Sequence, residues 1–252
     1  MSKNFELMQE VVAIEQEGIP PSGNGRAVPF TDREDIRRSS RMALDQVTRD
    51  ESLKLAQRLF LGQAEKRLHI VVFAGIDPGN GCSRLCGETA RALADSVPGT
   101  ICLVDGNLRA PSLPEYFGVM NHWGLTDALL QKEPIRDFAK PVYRDNLWLL
   151  TSGSLAETHH ALNSERLKTR FDELRKDFDY VLVDAPPLNH YADASVLGQL
   201  ADGVVLVLEA NSTRRESALK AIETLRSVQI DVLGAVLNKR TFPIPESVYR
   251  RL

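Results

Sequence analysis

The chain has no long apolar run, little net charge and few cysteines, and each of these absences excludes a class of protein. No stretch approaches the roughly 18 consecutive apolar residues of a membrane helix. The polar, acidic segment Met1–Glu10 lacks the apolar core of a signal peptide. We therefore expect a cytoplasmic chain without a transmembrane segment of its own, which a partner would have to bring to any membrane. The net charge of −3 offers no basic field that would draw nucleic acid.

The cysteines number only three, and Cys82, Cys86 and Cys102 lie in one short stretch. An odd number of cysteines without a secretion signal indicates reduced thiols in the cytoplasm. Cys82 and Cys86 have the i, i+4 spacing of one helix face, but no Cys-x-x-Cys or His-x-x-x-His motif completes a set of metal ligands. We therefore do not expect a metal site built from thiols.

Most of the chain alternates short apolar runs with amphipathic segments. Breaker-rich and charged residues 1–45 indicate a flexible leader, residues 46–241 one large domain, and residues 242–252 a tail. Within the domain the pattern predicts strands at His69–Ala74, Thr100–Val104, Asn146–Thr151, Tyr180–Val183, Gly203–Leu208 and Val232–Leu237, and helices at Gln46–Gln63, Ser83–Val97, Ser164–Phe178 and Thr213–Val228.

Strands that are apolar on both faces and joined by helices predict an α/β fold of three layers, with a doubly wound, mostly parallel sheet between helices. In such a sheet ligands bind beyond the carboxyl ends of the strands. The residues that carry function should therefore follow directly after each apolar run.

The first strand is followed by a glycine-rich loop, Gly75–Ser83, which enters a helix. Such a loop, with Gly79 and Gly81 in it, can aim several backbone N–H groups at a phosphate. Ser83 occupies the position of a hydroxyl that would bind Mg²⁺. The usual phosphate loop ends in Gly-Lys-Ser or Gly-Lys-Thr, whose lysine reaches the outer phosphates, but Cys82 stands in that place here.

Two further strands end in aspartates, Asp105 and Asp184. A carboxylate at the end of a buried strand is costly unless it has a partner such as a metal-bound water, although a helix cap or turn is the ordinary alternative. Ser83 and the two aspartates together have the composition of a Mg²⁺-nucleotide site. Asn238 follows the last strand and could bind an adenine edge or simply form a turn.

These motifs, in this order, resemble the bacterial tyrosine kinases of capsule and exopolysaccharide export. The resemblance runs from about Asp50 to Asn238 and also touches the wider superfamily of P-loop ATPases that includes MinD-like and ParA-like proteins. The Arg-x-Pro-Ser-Leu continuation after the second strand and the Asp-x-Pro-Pro motif favour the kinase branch. The segments that carry the match are Val104–Gly118, Gly124–Leu129, Asp179–Pro187, Ala192–Ala194 and Leu200–Val204.

The resemblance implies a domain that binds ATP and Mg²⁺ in its phosphate loop. Ser83 would bind the metal, Asp184 would hold it through water, and Asp105 would lie near the phosphate and help to activate a tyrosine hydroxyl. The family phosphorylates a tyrosine cluster on its own tail within a ring of subunits, which implies a homo-oligomer. It is switched on by a membrane-anchored partner related to polysaccharide chain-length regulators, which would recruit the chain to the inner face of the membrane.

The sequence departs from the family pattern at four places. The phosphate-loop lysine is Cys82, and the second acid of the Asp-x-Asp-x-Arg motif is Asn107. The oligomerisation motif Glu-x-x-Arg-x-x-Arg is represented by Glu51–Gln57, which keeps a charge at Lys54 and loses one at Gln57. The tail has no tyrosine cluster and offers Tyr249 alone, which could be an acceptor or a packing residue.

The loss of the lysine bears directly on activity. One charge-assisted hydrogen bond to phosphate contributes about 1.5–3 kcal/mol, so its loss could weaken ATP binding by roughly 10- to 100-fold. Arg84 and Arg109 are near enough in sequence to substitute for the lysine.

We expect a degenerate nucleotide-binding regulator or scaffold with weak or no phosphotransfer. The alternatives are an active tyrosine autokinase and, last, a ParA-like positioning ATPase, which would carry a lysine early in the loop. Cys82 could alternatively be a reactive thiol.

Overall fold

The structure, a computed structural model, describes residues 12–15, 49–62, 67–154 and 165–240. Eight strands form one sheet in the order β1-β8-β7-β2-β6-β3-β5-β4, and all neighbouring pairs are parallel except β4 and β5. The strands are β1 (Val12–Glu15), β2 (Ile70–Gly75), β3 (Ile101–Asp105), β4 (Ala139–Tyr143), β5 (Leu147–Leu150), β6 (Tyr180–Ala185), β7 (Gly203–Glu209) and β8 (Val232–Arg240).

Helices cover both faces of the sheet. Residues 49–56 form α1, which continues into a π-helical turn at Gln57–Leu61. The other helices are α2 (Cys82–Ser96), α3 (Leu113–Phe117), α4 (Leu125–Leu130), α5 (Glu165–Asp177), α6 (Asp193–Gln199) and α7 (Arg215–Ser227), with a 3-10 turn at Ile135–Phe138. Helices α1, α2 and α3 pack on one face, and α4 to α7 pack on the other.

The alternation of side chains along the central strands explains the two cores. In β2, Ile70 and Val72 contact the core beneath α5 and α6, whereas Val71 and Phe73 contact the core beneath α1 and α2. All four are fully buried. A strand that is buried on both faces must be apolar at every position, which is why these segments appear in the sequence as unbroken apolar runs. The predicted three-layer α/β fold with a mostly parallel sheet is confirmed.

The structure also contains elements that the sequence pattern did not predict. Residues 12–15, assigned to a flexible leader, form the edge strand β1, which pairs in parallel with β8. That part of the leader prediction is therefore wrong, because Val12, Ala13 and Ile14 give a run too short to stand out. The antiparallel edge strand β4 was not predicted either, because it is short and contains Pro141, a residue that interrupts a strand pattern. The rest of the leader, and residues 241–252 with Tyr249, lie outside the described residues.

No helix in the described part of the chain is long and apolar enough to cross a membrane.

Candidate functional site

A cavity of about 440 Å³ lies at the carboxyl end of the sheet. Its walls are the loop between β2 and α2, the segment after β3, and the segment after β6. Strands β2, β6 and β3 are neighbours, so the topology brings three loops together that are far apart in sequence. This is the edge at which open α/β sheets bind ligands.

The glycine-rich loop is folded by its own side chains and by its neighbours. The Asp77 N–H donates to the Asn80 side-chain oxygen at 2.9 Å, which closes a tight turn at the apex of the loop. The N–H groups of Leu188 and Asn189, after β6, donate to the carbonyls of Gly75 and Ile76. These bonds fix the loop, whose residues line the cavity, against the segment that follows β6.

Two residues from β8 hold the loop from the other side. The Asn238 side-chain nitrogen donates to the Asn80 carbonyl at 2.8 Å, and the Lys239 ammonium donates to the Gly79 carbonyl at 2.5 Å. Gly81 has a φ of 79°, and a Cβ there would lie 2.6 Å from the Asn238 nitrogen. Glycine is therefore required at 81 both by the left-handed backbone and by the close approach of Asn238. The predicted contact between Asn238 and adenine stays a prediction.

Asp184 is the least satisfied polar group in the cavity region. Its side chain is 0% exposed, and among the described residues none forms a normal hydrogen bond with either carboxylate oxygen. Burial raises the pKa of Asp184 to about 7, although the neighbouring Ser83 hydroxyl and Cys82 thiol act in the opposite direction. These two groups lie close enough to influence the charge without meeting hydrogen-bond geometry. A buried acid without donors needs a ligand or a proton.

Asp105 lies beside Asp184, because β3 and β6 pair in register at these two residues. Asp105 is also fully buried, but it accepts N–H bonds from Asn107 at 3.3 Å and from Leu113 at 3.2 Å. Burial and, second, the negative charge of Asp184 raise its pKa well above the usual value, and the backbone bonds oppose this. Two adjacent carboxylates with raised pKa values favour a bound cation.

Gly106 is the residue that allows the two strand ends to come so close. Its N–H donates to the Asp184 carbonyl at 2.9 Å. A Cβ at this position would lie 2.9 Å from the same carbonyl oxygen and from a methyl carbon of Leu197. Any larger residue would therefore push the Asp105 loop away from Asp184.

Cys82 begins α2 and lies close to Asp184, one of the two buried aspartates. Burial and, second, the charge of Asp184 raise the pKa of this thiol well above its usual value. A pKa raised in this way keeps the thiol protonated at neutral pH. The reactive-thiol alternative therefore lacks support, since reactivity needs a thiolate.

The two arginines named from the sequence both line the cavity, but only Arg109 has a partner there. Its guanidinium makes two hydrogen bonds to Asp193, at 2.8 Å and 3.3 Å, and lies 4.1 Å from the centre of the Tyr191 ring. Asn107 also lines the cavity, and its side-chain oxygen accepts the Ala110 N–H at 3.2 Å. Arg109 is thus already held, and Asn107 shapes the turn that carries it.

The donor set fits Mg²⁺ when phosphate completes it. Within the described residues no group of three or more histidine, cysteine, aspartate or glutamate side chains could hold a metal alone. Mg²⁺ commonly takes one or two protein oxygens, several waters and substrate phosphates. The Ser83 hydroxyl and the unpartnered Asp184 carboxylate supply such oxygens, with the Asp105 carboxylate beside them, and the loop would hold the phosphates.

The chain is similar to known proteins over most of its length. The chain is 32% identical over 175 residues to the tyrosine-protein kinase YwqD of Bacillus subtilis, a match that covers 69% of this chain and 73% of that one. The chain belongs to the bacterial tyrosine-protein kinase family. It is also 28% identical over 196 residues to the putative tyrosine-protein kinase CapB of Staphylococcus aureus, covering 77% and 86%. The succinoglycan biosynthesis transport protein ExoP of Rhizobium meliloti matches at 28% over 190 residues, covering 74% of this chain but 24% of that one. No family model matches the chain.

Solved structures of the kinase family share the fold. The kinase domain of the Escherichia coli tyrosine kinase ETK superimposes with a TM-score of 0.71 at 20% identity, covering 80% of this chain and 77% of that one. The chimeric protein CapA2B2 gives 0.69 at 23% identity, covering 79% and 86%. The septum site-determining protein MinD of Pyrococcus horikoshii, complexed with Mg-ADP, gives 0.57 at 20% identity, covering 72% and 76%. The fold is therefore common to bacterial tyrosine kinases and MinD-like ATPases.

The structure brings together most of the residues named from the sequence and adds several that were missed. The loop with Ser83 and the two arginines line the cavity, Asp105 and Asp184 are buried at the adjacent strand ends, and Asn238 lies behind the loop. The missed residues are those that position the site: Asn80, Asp193 and Lys239. All three lie in segments that the sequence marked, namely the glycine-rich loop, the segment Ala192–Ala194 and the end of the last strand, but nothing in those segments indicated their partners.

Proposed function

We propose that this chain is a Mg²⁺-nucleotide-binding member of its family with weakened phosphotransfer, which acts as a regulator or scaffold in exopolysaccharide or capsule export. One observation carries the proposal. Asp105 and Asp184 are buried side by side at the strand ends next to the loop that carries Ser83, yet no lysine is among the described residues that line the cavity. Residues that would hold Mg²⁺ and phosphate are therefore available, whereas the lysine charge that would stabilise the transferring phosphoryl group is absent at Cys82.

The cofactor assignment is supported by the unpartnered Asp184 carboxylate and by the relation of the fold to nucleotide-binding proteins. Mg²⁺, once bound with nucleotide, would neutralise charge between the outer phosphates. Ser83 would contribute a hydroxyl, Asp184 would orient a metal-bound water, and Asp105 would accept the proton of an attacking hydroxyl. Backbone N–H groups of the loop at Gly79 and Gly81 would contact phosphate oxygens. Without a lysine, the loop should bind the ground state better than it stabilises the transition state.

The export assignment rests on the relatives. ExoP is named for succinoglycan biosynthesis transport, and this chain covers only a quarter of it. By analogy with these relatives, a membrane-anchored region or chain related to polysaccharide co-polymerases would act with this domain and place it at the inner face of the membrane. The α1 helix, with Lys54 paired to Glu51 at 2.5 Å, would contribute to any homo-oligomer.

The second candidate is an active tyrosine autokinase, favoured by the presence of both Asp105 and Asp184 at adjacent strand ends. Phosphotyrosine formation distinguishes the two. After incubation with Mg-ATP, we expect weak or no phosphotyrosine on the wild-type chain. We expect at least about tenfold more on Cys82→Lys, because the lysine adds a charge-assisted contact to the transferring group. Detection by mass spectrometry and antibody would check this, with Cys82→Lys/Asp184→Asn as the inactive control.

Strong wild-type phosphorylation that disappears in Asp184→Asn would establish the autokinase and remove the scaffold proposal. A ParA-like positioning ATPase is the least supported reading, since the loop has no early lysine.

A further inference from the structure

The phosphate cavity has two arginines at its rim, and their surroundings differ. The Arg109 guanidinium donates two hydrogen bonds to the Asp193 carboxylate and stacks on the Tyr191 ring. Arg84 is exposed and forms no ion pair with any described residue. Glu88, one helical turn beyond Arg84, accepts a hydrogen bond from the Tyr116 hydroxyl instead. Arg84 lies near enough to the Tyr116 hydroxyl to act on its pKa, but of the described arginines that line the cavity it is the one without an ion pair.

The position of Arg84 in its helix directs it to the phosphate site. It is the third residue of α2, directly after Ser83. Side chains in a helix tilt toward the N-terminus and cover the preceding turn, which here is the phosphate loop. The first turn of α2 contains no acidic residue. A cation in a first turn is disfavoured by the helix dipole, and a bound anion at the same place would offset that cost.

The remaining candidate, Lys239, is already engaged. Its ammonium donates to the Gly79 carbonyl and lies 3.4 Å from a Glu209 carboxylate oxygen. It also lies outside the cavity wall. Lys239 braces the loop from behind rather than facing the phosphates.

We propose that the guanidinium of Arg84 supplies the positive charge to the bound polyphosphate that the missing lysine at position 82 would have supplied. This inference rests on the proposed nucleotide site. An arginine can make two parallel N–H bonds to phosphate oxygens. The usual lysine precedes the hydroxyl residue, whereas Arg84 follows Ser83. Its charge would therefore reach the phosphates from the first turn of α2 rather than from the loop. It would therefore favour binding more than transfer, in accord with weakened phosphotransfer.

Calorimetric titration of Mg-ADP and Mg-ATP into four proteins tests the inference: wild type, Arg84→Gln, Cys82→Lys and Cys82→Lys/Arg84→Gln. We expect Arg84→Gln to weaken Mg-ADP binding by about 10- to 100-fold in the wild-type chain. In the Cys82→Lys background, where the lysine supplies the charge, the same substitution should cost less than about threefold. Adenosine, which has no phosphate, should bind both Arg84 forms equally.

Two controls separate charge at the site from general effects. Lys168→Gln removes one exposed charge from α5, on the opposite face of the sheet, and should leave affinity unchanged. Arg84→Lys should recover part of the affinity lost in Arg84→Gln, because it restores the charge without the planar fork. Thermal unfolding of each variant confirms that it is folded.

Each result bears on the inference. If the wild-type chain binds Mg-ADP and Arg84→Gln binds it equally, Arg84 does not substitute for the lysine, and the nucleotide site stands without it. If Arg84→Gln costs the same with and without Cys82→Lys, Arg84 acts by another route and the inference is wrong. If the wild-type chain binds no nucleotide at millimolar concentration, the proposed function and the inference both fail.

Discussion

The two ends of the central sheet carry the same residue type in opposite circumstances. At the amino end, the Asp202 carboxylate accepts the N–H groups of His69 and Ile70, at 2.7 Å and 2.8 Å, and pairs with Arg175 at 3.1 Å. Asp179 accepts the backbone N–H and the hydroxyl of Thr100. At the carboxyl end, Asp184 has no such donor within the described residues. The aspartates at the amino end hold the fold, whereas Asp184 at the carboxyl end is buried without such a donor.

The pKa directions express the same difference. Burial acts to raise the pKa of Asp202, but the bonds from Arg175, Ile70 and His69 together bring it below the usual value. The Thr100 N–H and hydroxyl lower the pKa of Asp179. At the other end, burial raises the pKa of both Asp105 and Asp184. For an aspartate, a lowered pKa means that the charged carboxylate stabilises the folded state, and a raised pKa means that the charged carboxylate destabilises the folded state.

The largest expected effect is at the amino end. Asp202→Ala should lower the free energy of unfolding by about 2–4 kcal/mol, because it removes the acceptor of the Arg175 guanidinium and of two partly buried N–H groups. Urea denaturation at neutral pH measures the change. Asp231→Ala, at an exposed aspartate close by, is the control and should change stability by less than about 0.5 kcal/mol. Equal effects of the two substitutions would remove the structural role of Asp202.

A smaller effect of opposite sign is expected at the carboxyl end. Asp184→Asn should raise the free energy of unfolding at pH about 8 by roughly 1–3 kcal/mol in the absence of nucleotide, since it removes an uncompensated buried charge but leaves an amide to satisfy. Thermal or urea unfolding with chelator present measures this. A loss of stability instead would show that Asp184 has a structural partner.

The pH dependence gives the sign of each contribution. The folded state holds the Asp184 proton up to a pKa of about 7, whereas the unfolded chain releases it at the ordinary, lower pKa. The stability contributed by this group is therefore present in acid and falls as the pH rises toward 7. Asp202 does the reverse, because its contribution is present at neutral pH and is lost as the pH falls through its lowered pKa. In Asp184→Asn, the fall of stability toward pH 7 should become shallower.

The sequence predicted the central strands, the helices α2, α5 and α7 and the residues that follow each strand, because these depend on local periodicity and on the parallel topology. It could not predict which of those residues would find partners. Asp193 meets Arg109 across 84 positions, and Lys239 meets Gly79 across 160. Such pairs are set by tertiary packing and leave no local pattern. The edge strands β1 and β4 were missed because they are short and their pairing is not encoded locally.

The absent lysine illustrates the same limit. The sequence identifies Cys82 in its place and gives Arg84 and Arg109 as equal substitutes. Only the structure shows that Arg109 is held by Asp193, while Arg84 forms no ion pair with a described residue. The chemistry of a site can thus be predicted from residue types, whereas the assignment of each charge needs the fold.

The central claim is that Asp184 is left without a partner because it serves Mg²⁺-nucleotide. Titration of ATP with and without Mg²⁺, at pH about 6 and about 8, tests this most directly. We predict that the wild-type chain binds ATP more tightly with Mg²⁺, and that this gain grows by about tenfold or more between the two pH values as Asp184 loses its proton. In Asp184→Asn, Mg²⁺ should give no gain in ATP affinity at either pH value. A wild-type chain whose ATP binding ignores both Mg²⁺ and pH, or an Asp184→Asn variant that keeps the full gain, would contradict the claim.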